Sequence, residues 1–462
     1  MYKRYQIKTA TAELESMRIG KFTIIRSDEC ANCGQCAEWC IYGVHRRDSR
    51  DPRLMAEPLN HLCKNCFSCI QNCPRQALKM VKNEEYENLG DSYWTPHKIW
   101  TIWNEAEEGM IPVYGAGYRG RFRGLGFDDI WTDMSEIVRP TRDGIHGREY
   151  IATAVDIGRK LPFISNFEHP SSLPVAEIKI PMLLETRPLG LRSESILMPV
   201  IKTAQITGTL ALLDIEDWRD ELIPYLPFLA LRLRLEKTSE LEKVPWRKVG
   251  FVEIIVAKKT ETSWLEEVLR TLRVGNPGAV ISLTTSTPAL PGEFLEHFKA
   301  GKADVLTCTA DSHGRNAETG HFISESIRSL HLAFVKERIR DEITLIGGGG
   351  IAAAEHVPKL IICGADAVVL DIALLVALGC RVCRECDFDT CPAGIKTLDQ
   401  NLAAQRMVNM ISSWRDQLLE ILSAMGIKDV RRLRGEVGRA MFYEEIERKS
   451  FEFIFNNGEK RR

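Results

Sequence analysis

Eight cysteines between Cys30 and Cys73 fall into two copies of one spacing: Cys30, Cys33, Cys36 and Cys40, then Cys63, Cys66, Cys69 and Cys73. Each copy reads Cys-x-x-Cys-x-x-Cys-x-x-x-Cys. Thiolates are soft ligands that select zinc or iron–sulfur clusters. Structural zinc takes four ligands in two pairs and has no use for a third cysteine in each run. In paired cubane clusters, three close cysteines bind three corners and the distant fourth serves the other cluster. The spacing therefore predicts one 4Fe–4S cluster on Cys30, Cys33, Cys36 and Cys73, and a second on Cys63, Cys66, Cys69 and Cys40. The chemistry would be one-electron transfer. Pro74 follows the second run but Ile41 follows the first, so the two turns differ.

Further chemistry-bearing residues lie in the second half. Cys380, Cys383, Cys386 and Cys391 fall within twelve residues and end in Cys391-Pro392, which reads as another cluster site. Four consecutive glycines, Gly347, Gly348, Gly349 and Gly350, are expected to open a helix at Ile351. Free amides at a helix N-terminus bind phosphate, so these glycines, with Gly364, Ala365 and Asp366 and Asp371 beyond, read as the cradle of a phosphate-bearing cofactor. In Asp311-Ser312-His313-Gly314-Arg315-Asn316, His313 could donate a proton and Arg315 could hold a carboxylate bidentately, with Asp311 beside them. Lys258, at an apolar strand end, could stabilise negative charge on the reduced cofactor, or could be one of a solvated lysine pair. Cys308 and Cys363 lie in or beside apolar runs and read as buried structural thiols. His321, His331 and His356 fall on helical stretches and receive no role. Gly115-Ala-Gly117-Tyr-Arg-Gly120 fits the letters of a dinucleotide fingerprint, but loop chemistry through Gly126 follows it where a helix is required. That segment reads as a connecting loop or docking surface.

These residues must be positioned by a regular framework. From Pro181 onward, eight short apolar runs begin near Pro181, Thr209, Phe228, Phe251, Ala279, Asp304, Ile343 and Ala367. Continuous runs of four to six such residues suit strands buried on both faces of a parallel sheet. Helical periodicity fills several gaps, including Trp264–Leu272, Phe322–Val335 and Ile372–Leu378. The expectation is an α/β fold: a (β/α)8 TIM-type barrel, preceded by a small α+β cysteine module. The divisions are an extension over 1–20, the cysteine module over 21–85, a connecting segment over 86–165, the barrel with its cysteine loop over 166–398, and a helical extension over 399–462. Asn401–Met425 reads as an amphipathic helix.

Composition narrows the class. The 462 residues carry a formal net charge of −2 and are 44% hydrophobic, enough for full cores and unsuited to nucleic acid. No stretch reads as a signal peptide or membrane span. Twelve of the fourteen cysteines sit in metal-type spacings, and clusters call for a reducing compartment, so a cytoplasmic location is expected.

Two resemblances carry these readings further. From about Lys21 to Val81 the chain resembles dicluster ferredoxins. Leu375-Val-Ala-Leu-Gly-Cys380, then Cys386, then Thr390-Cys391-Pro392-Ala-Gly394 resembles the synthase domain of glutamate synthase, and Arg406–Met425 with Leu433-Arg434-Gly435 resembles the helix after its cluster. The resemblance implies an FMN-binding barrel with a 3Fe–4S cluster on Cys380, Cys386 and Cys391. Gly347–Ile351 and Gly364–Asp366 would be its flavin phosphate loops. The departures are equally specific. Cys383 is additional and could complete a 4Fe–4S cube. Glu185-Thr-Arg187-Pro-Leu-Gly190 stands where the family has a serine-rich loop, Ala257-Lys258-Lys259 where it has a glycine-rich one, and Asp311–Asn316 where it has Gly-Gly-Thr-Gly. The glutaminase domain of the full enzyme is missing. The implied function is an iron–sulfur flavoprotein oxidoreductase that passes electrons from two 4Fe–4S clusters through a third cluster to FMN, for reductive amination of 2-oxoglutarate. Its expected partners are ferredoxin or other redox subunits and a separate glutaminase-type subunit. The rival reading is an electron-transfer subunit of a larger redox complex.

Overall fold

The computed structural model describes residues 5–112, 124–132, 150–160, 174–234, 244–256, 262–286, 292–386 and 391–442. Near the N-terminus, β1 (Phe22–Arg26) and β2 (Leu78–Lys82) pair antiparallel and bracket the first eight cysteines. Between them lie two short helices, α1 (Gln35–Trp39) and α2 (Ser68–Gln71), over a small core of Ile24, Val44, Cys63, Cys69 and Leu78.

After α3 (Glu84–Glu87) comes α4 (Pro96–Glu108), inside the segment read as connecting. Its boundaries follow local rules. The Thr95 side chain accepts from the Lys98 amide, Pro96 stands in the first turn, and Gly109 ends it at φ 70°. Ile99, Trp100, Ile102, Trp103 and Ala106 form its buried face, at the spacing of an amphipathic helix. The segment is therefore core rather than only linker. Next, β3 (Ile130–Thr132) leads to the hairpin of β4 (Val155–Gly158) and β5 (Val175–Ile178). The glycines of Gly115–Gly120 lie outside the described residues.

The barrel is closed and parallel, and all eight expected runs enter it. In order these are β6 (Met182–Glu185), β7 (Ala211–Asp214), β8 (Leu229–Arg234), β9 (Phe251–Ile255), β10 (Val280–Thr285), β11 (Val305–Thr309), β12 (Thr344–Gly348) and β13 (Ala367–Leu370), with β13 pairing back onto β6. Crossovers carry α5 (Glu194–Thr207), α6 (Thr262–Gly275), α7 (Gly292–Lys299), α8 (Ile323–Lys336) and α9 (His356–Cys363), and α10 (Ile372–Ala377) follows β13. Between β7 and β8 the expected α-helix is replaced by 3-10 turns over Asp220–Phe228, where Pro224 and Pro227 lack the amides an α-helix needs. The β4–β5 hairpin covers the amino end of the barrel: Gly158 and Thr344 exchange hydrogen bonds of 3.0 and 2.9 Å.

The long α11 (Gln400–Ala424) starts where the Asp399 side chain accepts from the Asn401 and Leu402 amides. It packs on α4 and α5. Arg406, fully buried, donates to the carbonyls of Ala377 and Trp103, and Trp414 Nε1 donates to Glu105 at 2.8 Å. The last strand among the described residues, β14 (Ala440–Phe442), pairs with β3.

Candidate functional site

The paired runs bring their thiols together across the module. Burial pushes the Cys69 thiol up to about 12, and the neighbours that raise it further are Cys63, Cys40, Cys66 and Cys36. Burial also raises Cys63, beside Cys66 and Cys40. Cys40 thus stands among the cysteines of the second run, while Cys36 has Cys30 and Cys33 for neighbours. The Ala77 amide donates to Cys73 Sγ at 3.3 Å. Among the described residues no three of these thiols converge within 4.8 Å, whereas one tetrahedral zinc would hold its thiolates roughly 3.8 Å apart.

In the third group, burial pushes Cys380 up to about 12, with Cys386, Cys383 and Cys391 around it. The loop that carries it reaches the mouth of the barrel through Arg384. The Arg384 guanidinium lies 3.0 Å from Asp91 Oδ2 and 2.7 Å from His313 Nε2, and His313 Nε2 is 2.9 Å from Asp91. When His313 carries a proton on Nε2 it donates to Asp91; without that proton it accepts from Arg384. Burial works against the Asp91 charge, yet His313 and the Trp94 and Tyr93 amides hold its carboxyl below the usual range. Asp91 was not singled out by the sequence. Its Asp-x-Tyr-Trp turn before a capped helix is the one local signal for it.

The other residues of that loop serve the loop itself. Asp311 Oδ1 accepts from the His313 and Arg315 amides at 2.9 and 2.8 Å, and Arg315 Nη1 donates to the Gly320 carbonyl at 3.1 Å. Lys258 lies outside the described residues. Cys308 and Cys363 are buried thiols, each pushed up to about 12 by desolvation.

The two glycine-bearing segments separate. Gly347 and Gly348 end β12 and Gly349 and Gly350 follow it, at the carboxyl end of the seventh strand, where the phosphate sites of such barrels lie. The helix opens at His356, not at Ile351, because Ile351–Glu355 forms an irregular turn in which the Ala352 amide donates to His356 Nδ1. A Cβ on Gly349 would meet the Ala310 carbonyl oxygen at 2.6 Å, and one on Gly350 would meet Gly314 Cα at 2.6 Å. Close backbone approach by the Ala310–Gly314 loop therefore occupies that space. The Tyr93 hydroxyl also donates to the Gly350 carbonyl.

Gly364, Ala365 and Asp366, by contrast, precede β13 and lie at the opposite, amino end of the barrel. In a parallel strand pair the residues before one strand cannot meet those after its neighbour, so they do not join the glycine cradle. Asp366 there faces Arg340 at 2.8 Å, Arg434 at 3.1 Å and Lys160 at 3.8 Å, and accepts from the Leu345 amide. It is a structural ion cluster.

Residues inside the mouth were missed by sequence reasoning. Arg232, from β8, lies 2.8 Å from Glu185, 2.7 Å from Glu253 and 3.7 Å from Asp214. Arg187 pairs with Asp214 at 2.6 Å and with Asp217. Burial works against the Arg232 charge, but Glu253, Glu185 and Asp214 outweigh it and raise the group. Among the described residues Asp371, just after β13, has no hydrogen-bond partner for Oδ1, and burial pushes it up to about 7, with Glu185 and Asp311 adding to the rise. The glycine loop thus suits a cofactor phosphate by position, while the described side chains around it supply little countercharge.

Behind that loop, a cavity of about 540 Å³ is lined by His97, Lys98, Glu105, Asp128 and Glu355 among others. His356, given no role above, joins Asp128 and Glu355 in a trio within 4.8 Å. Lys98 Nζ lies 2.7 Å from Asp128 and the Lys359 charge stands beside Glu355, so the trio is neutralised by lysines.

Comparison with known proteins places these features. Residues 309–428 match the family model for the conserved region in glutamate synthase. An archaeal-type NADPH glutamate synthase of Dehalococcoides mccartyi is 24% identical over 90% of this chain and 94% of its own length. One from Archaeoglobus fulgidus is 24% identical over 89% and 91%. A flavocytochrome b2 variant superposes with a TM-score of 0.45 at 11% identity, covering 77% of this chain and 81% of that one. The chain is an oxidoreductase built on a (β/α)8 barrel. The matched region holds the His313 loop, the glycine loop and the third cysteine group together. The chain is similar to archaeal-type glutamate synthases over most of its length.

Proposed function

We propose that the protein is an iron–sulfur oxidoreductase of glutamate synthase type, in which the N-terminal cysteine module accepts electrons and the third cysteine group hands them to the mouth of the barrel. The observation that carries this reading is the Arg384 bridge. A residue of the cysteine loop contacts Asp91 and His313 at the carboxyl end of β11, so electron carriers and a proton-carrying group meet at one place. When bound, the clusters would supply single electrons and FMN would couple them to two-electron chemistry. FMN enters through the similarity to glutamate synthases, and the carboxyl end of β12 is where such barrels hold a cofactor phosphate. His313 Nε2 holds a partner in both protonation states, which suits a group that gives up and regains a proton. The substrate reading is reductive amination of 2-oxoglutarate, with ammonia supplied by a glutaminase-type partner and electrons by ferredoxin or another redox subunit.

One observation favours the second reading, an electron-transfer subunit that binds no small substrate. Glu185, Asp214, Glu216, Asp217 and Glu253 pair with Arg187, Arg192 and Arg232, so among the described residues the mouth is filled by its own ion pairs and carboxylates outnumber guanidiniums. An anionic dicarboxylate meets repulsion there. The test is an anaerobic reductive titration of the purified protein, followed by 2-oxoglutarate plus ammonia. Reoxidation with glutamate formed establishes the synthase. A protein that stays reduced, yet passes electrons to a redox partner, establishes the transfer subunit. No flavin in the acid supernatant removes FMN from either reading.

A further inference from the structure

The three cysteine runs share a backbone fold that their spacing alone does not require. Cys33 is flanked by Asn32 at φ 53° and Gly34 at φ 87°; Cys66 by Asn65 at φ 61° and Phe67 at φ 62°. Cys383 is flanked by Val382 at φ 56° and Arg384 at φ 62°. In each run the second cysteine thus sits between two left-handed residues. Such a conformation is uncommon for non-glycine residues and an outlier for β-branched Val382. A loop free to choose its turn would not place valine there.

The correspondence extends to the sulfurs. Cys63 accepts a backbone hydrogen bond from Asn65, two residues on, and Cys380 Sγ accepts from the Val382 amide at 3.3 Å. Cys33 and Cys383 are both exposed, whereas the first cysteine of the third run is buried like that of the second. Cys380 has Cys383, Cys386 and Cys391 all for neighbours, so the fourth thiol comes from the same run instead of from a distant one.

We propose that Cys383 is a ligand, and that Cys380, Cys383, Cys386 and Cys391 together hold a four-iron cubane in place of a three-iron cluster on Cys380, Cys386 and Cys391. This rests on the iron–sulfur reading above. Cys383 occupies the corner that the second cysteine of a paired cubane run occupies, and the left-handed residues on either side turn its sulfur toward the other three. The cluster then has no open iron corner.

The test uses the full chain purified without oxygen, with iron and sulfide counted and electron paramagnetic resonance recorded after mild oxidation. The native protein should hold about twelve irons, four for each cubane, and show no three-iron signal. Cys383→Ala should hold about eleven irons and acquire that signal, with the two N-terminal clusters as internal control. A native protein with about eleven irons and a three-iron signal, or a Cys383→Ala variant matching the native protein in both readouts, overturns the assignment. Cys380→Ala and Cys391→Ala separate the two levels of failure. If both leave a native count of about eight irons unchanged, the loop binds no cluster and the underlying reading falls with the proposal.

Discussion

Two aspartates flank one strand of the barrel and are treated in opposite ways. Asp366, before β13, is surrounded by Arg340, Arg434 and Lys160; burial works against its charge, yet these cations hold its carboxyl at about 2. Asp371, after β13, has an oxygen unpartnered among the described residues and is pushed by burial up to about 7. Both are reached by the same four residues of buried strand. The amino end of the barrel is finished as structure, with its charges matched. The carboxyl end keeps a carboxyl poised near neutrality beside a glycine loop and a histidine. Barrels keep chemistry at that end and stability at the other, and here the division is visible in one strand.

Substitutions at the two ends should break this contrast in different directions. Asp366→Ala leaves a guanidinium buried without its partner and should cost about 3–5 kcal/mol in denaturant unfolding. Because the Asp366 carboxyl is held down, its contribution is present above the ordinary carboxylate range and is lost as pH falls toward about 2. The variant should therefore lose part of the native acid-unfolding limb. If its stability and acid limb match the native ones, the ion cluster is inert. Arg232→Met in the mouth should cost roughly 2–4 kcal/mol near pH 7, since Glu185, Asp214 and Glu253 lose their shared cation, and the loss should shrink as pH drops and they protonate.

Asp371→Asn should do the reverse. A raised carboxyl stabilises the fold when protonated, and that stability is lost as pH rises through about 7. The variant should gain roughly 1–3 kcal/mol at pH 8 and match the native protein near pH 4, by thermal melts across that range. Equal melts at pH 8 would show that the carboxylate finds solvent or a cation. The smallest effect on stability is expected from His313→Gln, within about 0.5 kcal/mol, because the ring is partly exposed. Its effect should fall on turnover with 2-oxoglutarate and ammonia, about 100-fold. Unchanged turnover would remove His313 from the proton path.

Much of this was legible in the chain. The barrel strands are buried on both faces, so they read as unbroken apolar runs, and even the weakest, Leu229–Arg234, takes its place. The cysteines are legible because a cluster dictates spacing locally. What was not legible depends on which end of a strand a residue reaches. Gly364–Asp366 looks like a cofactor loop in one dimension and lies at the wrong end in three. The mouth network escaped notice because Glu185, Arg232 and Glu253 come from three different strands, and no local pattern links them. Helix α4 was passed over because tryptophan- and glycine-rich sequence around it resembles loop.

That helix has a consequence for how the molecule could be taken apart. Trp100 lies beneath Lys21 at 4.3 Å and Lys64 at 5.1 Å, both from the cysteine module, while Trp103 carries a carbonyl for Arg406 of α11. Just upstream of α4, the Gly90 amide donates to the Arg381 carbonyl of the third cysteine loop. One stretch of chain is thus stitched to both cysteine regions and to the closing helix. The module and the barrel behave as one mechanical piece, so cutting the chain between them would strip two tryptophans bare instead of releasing a free-standing electron carrier.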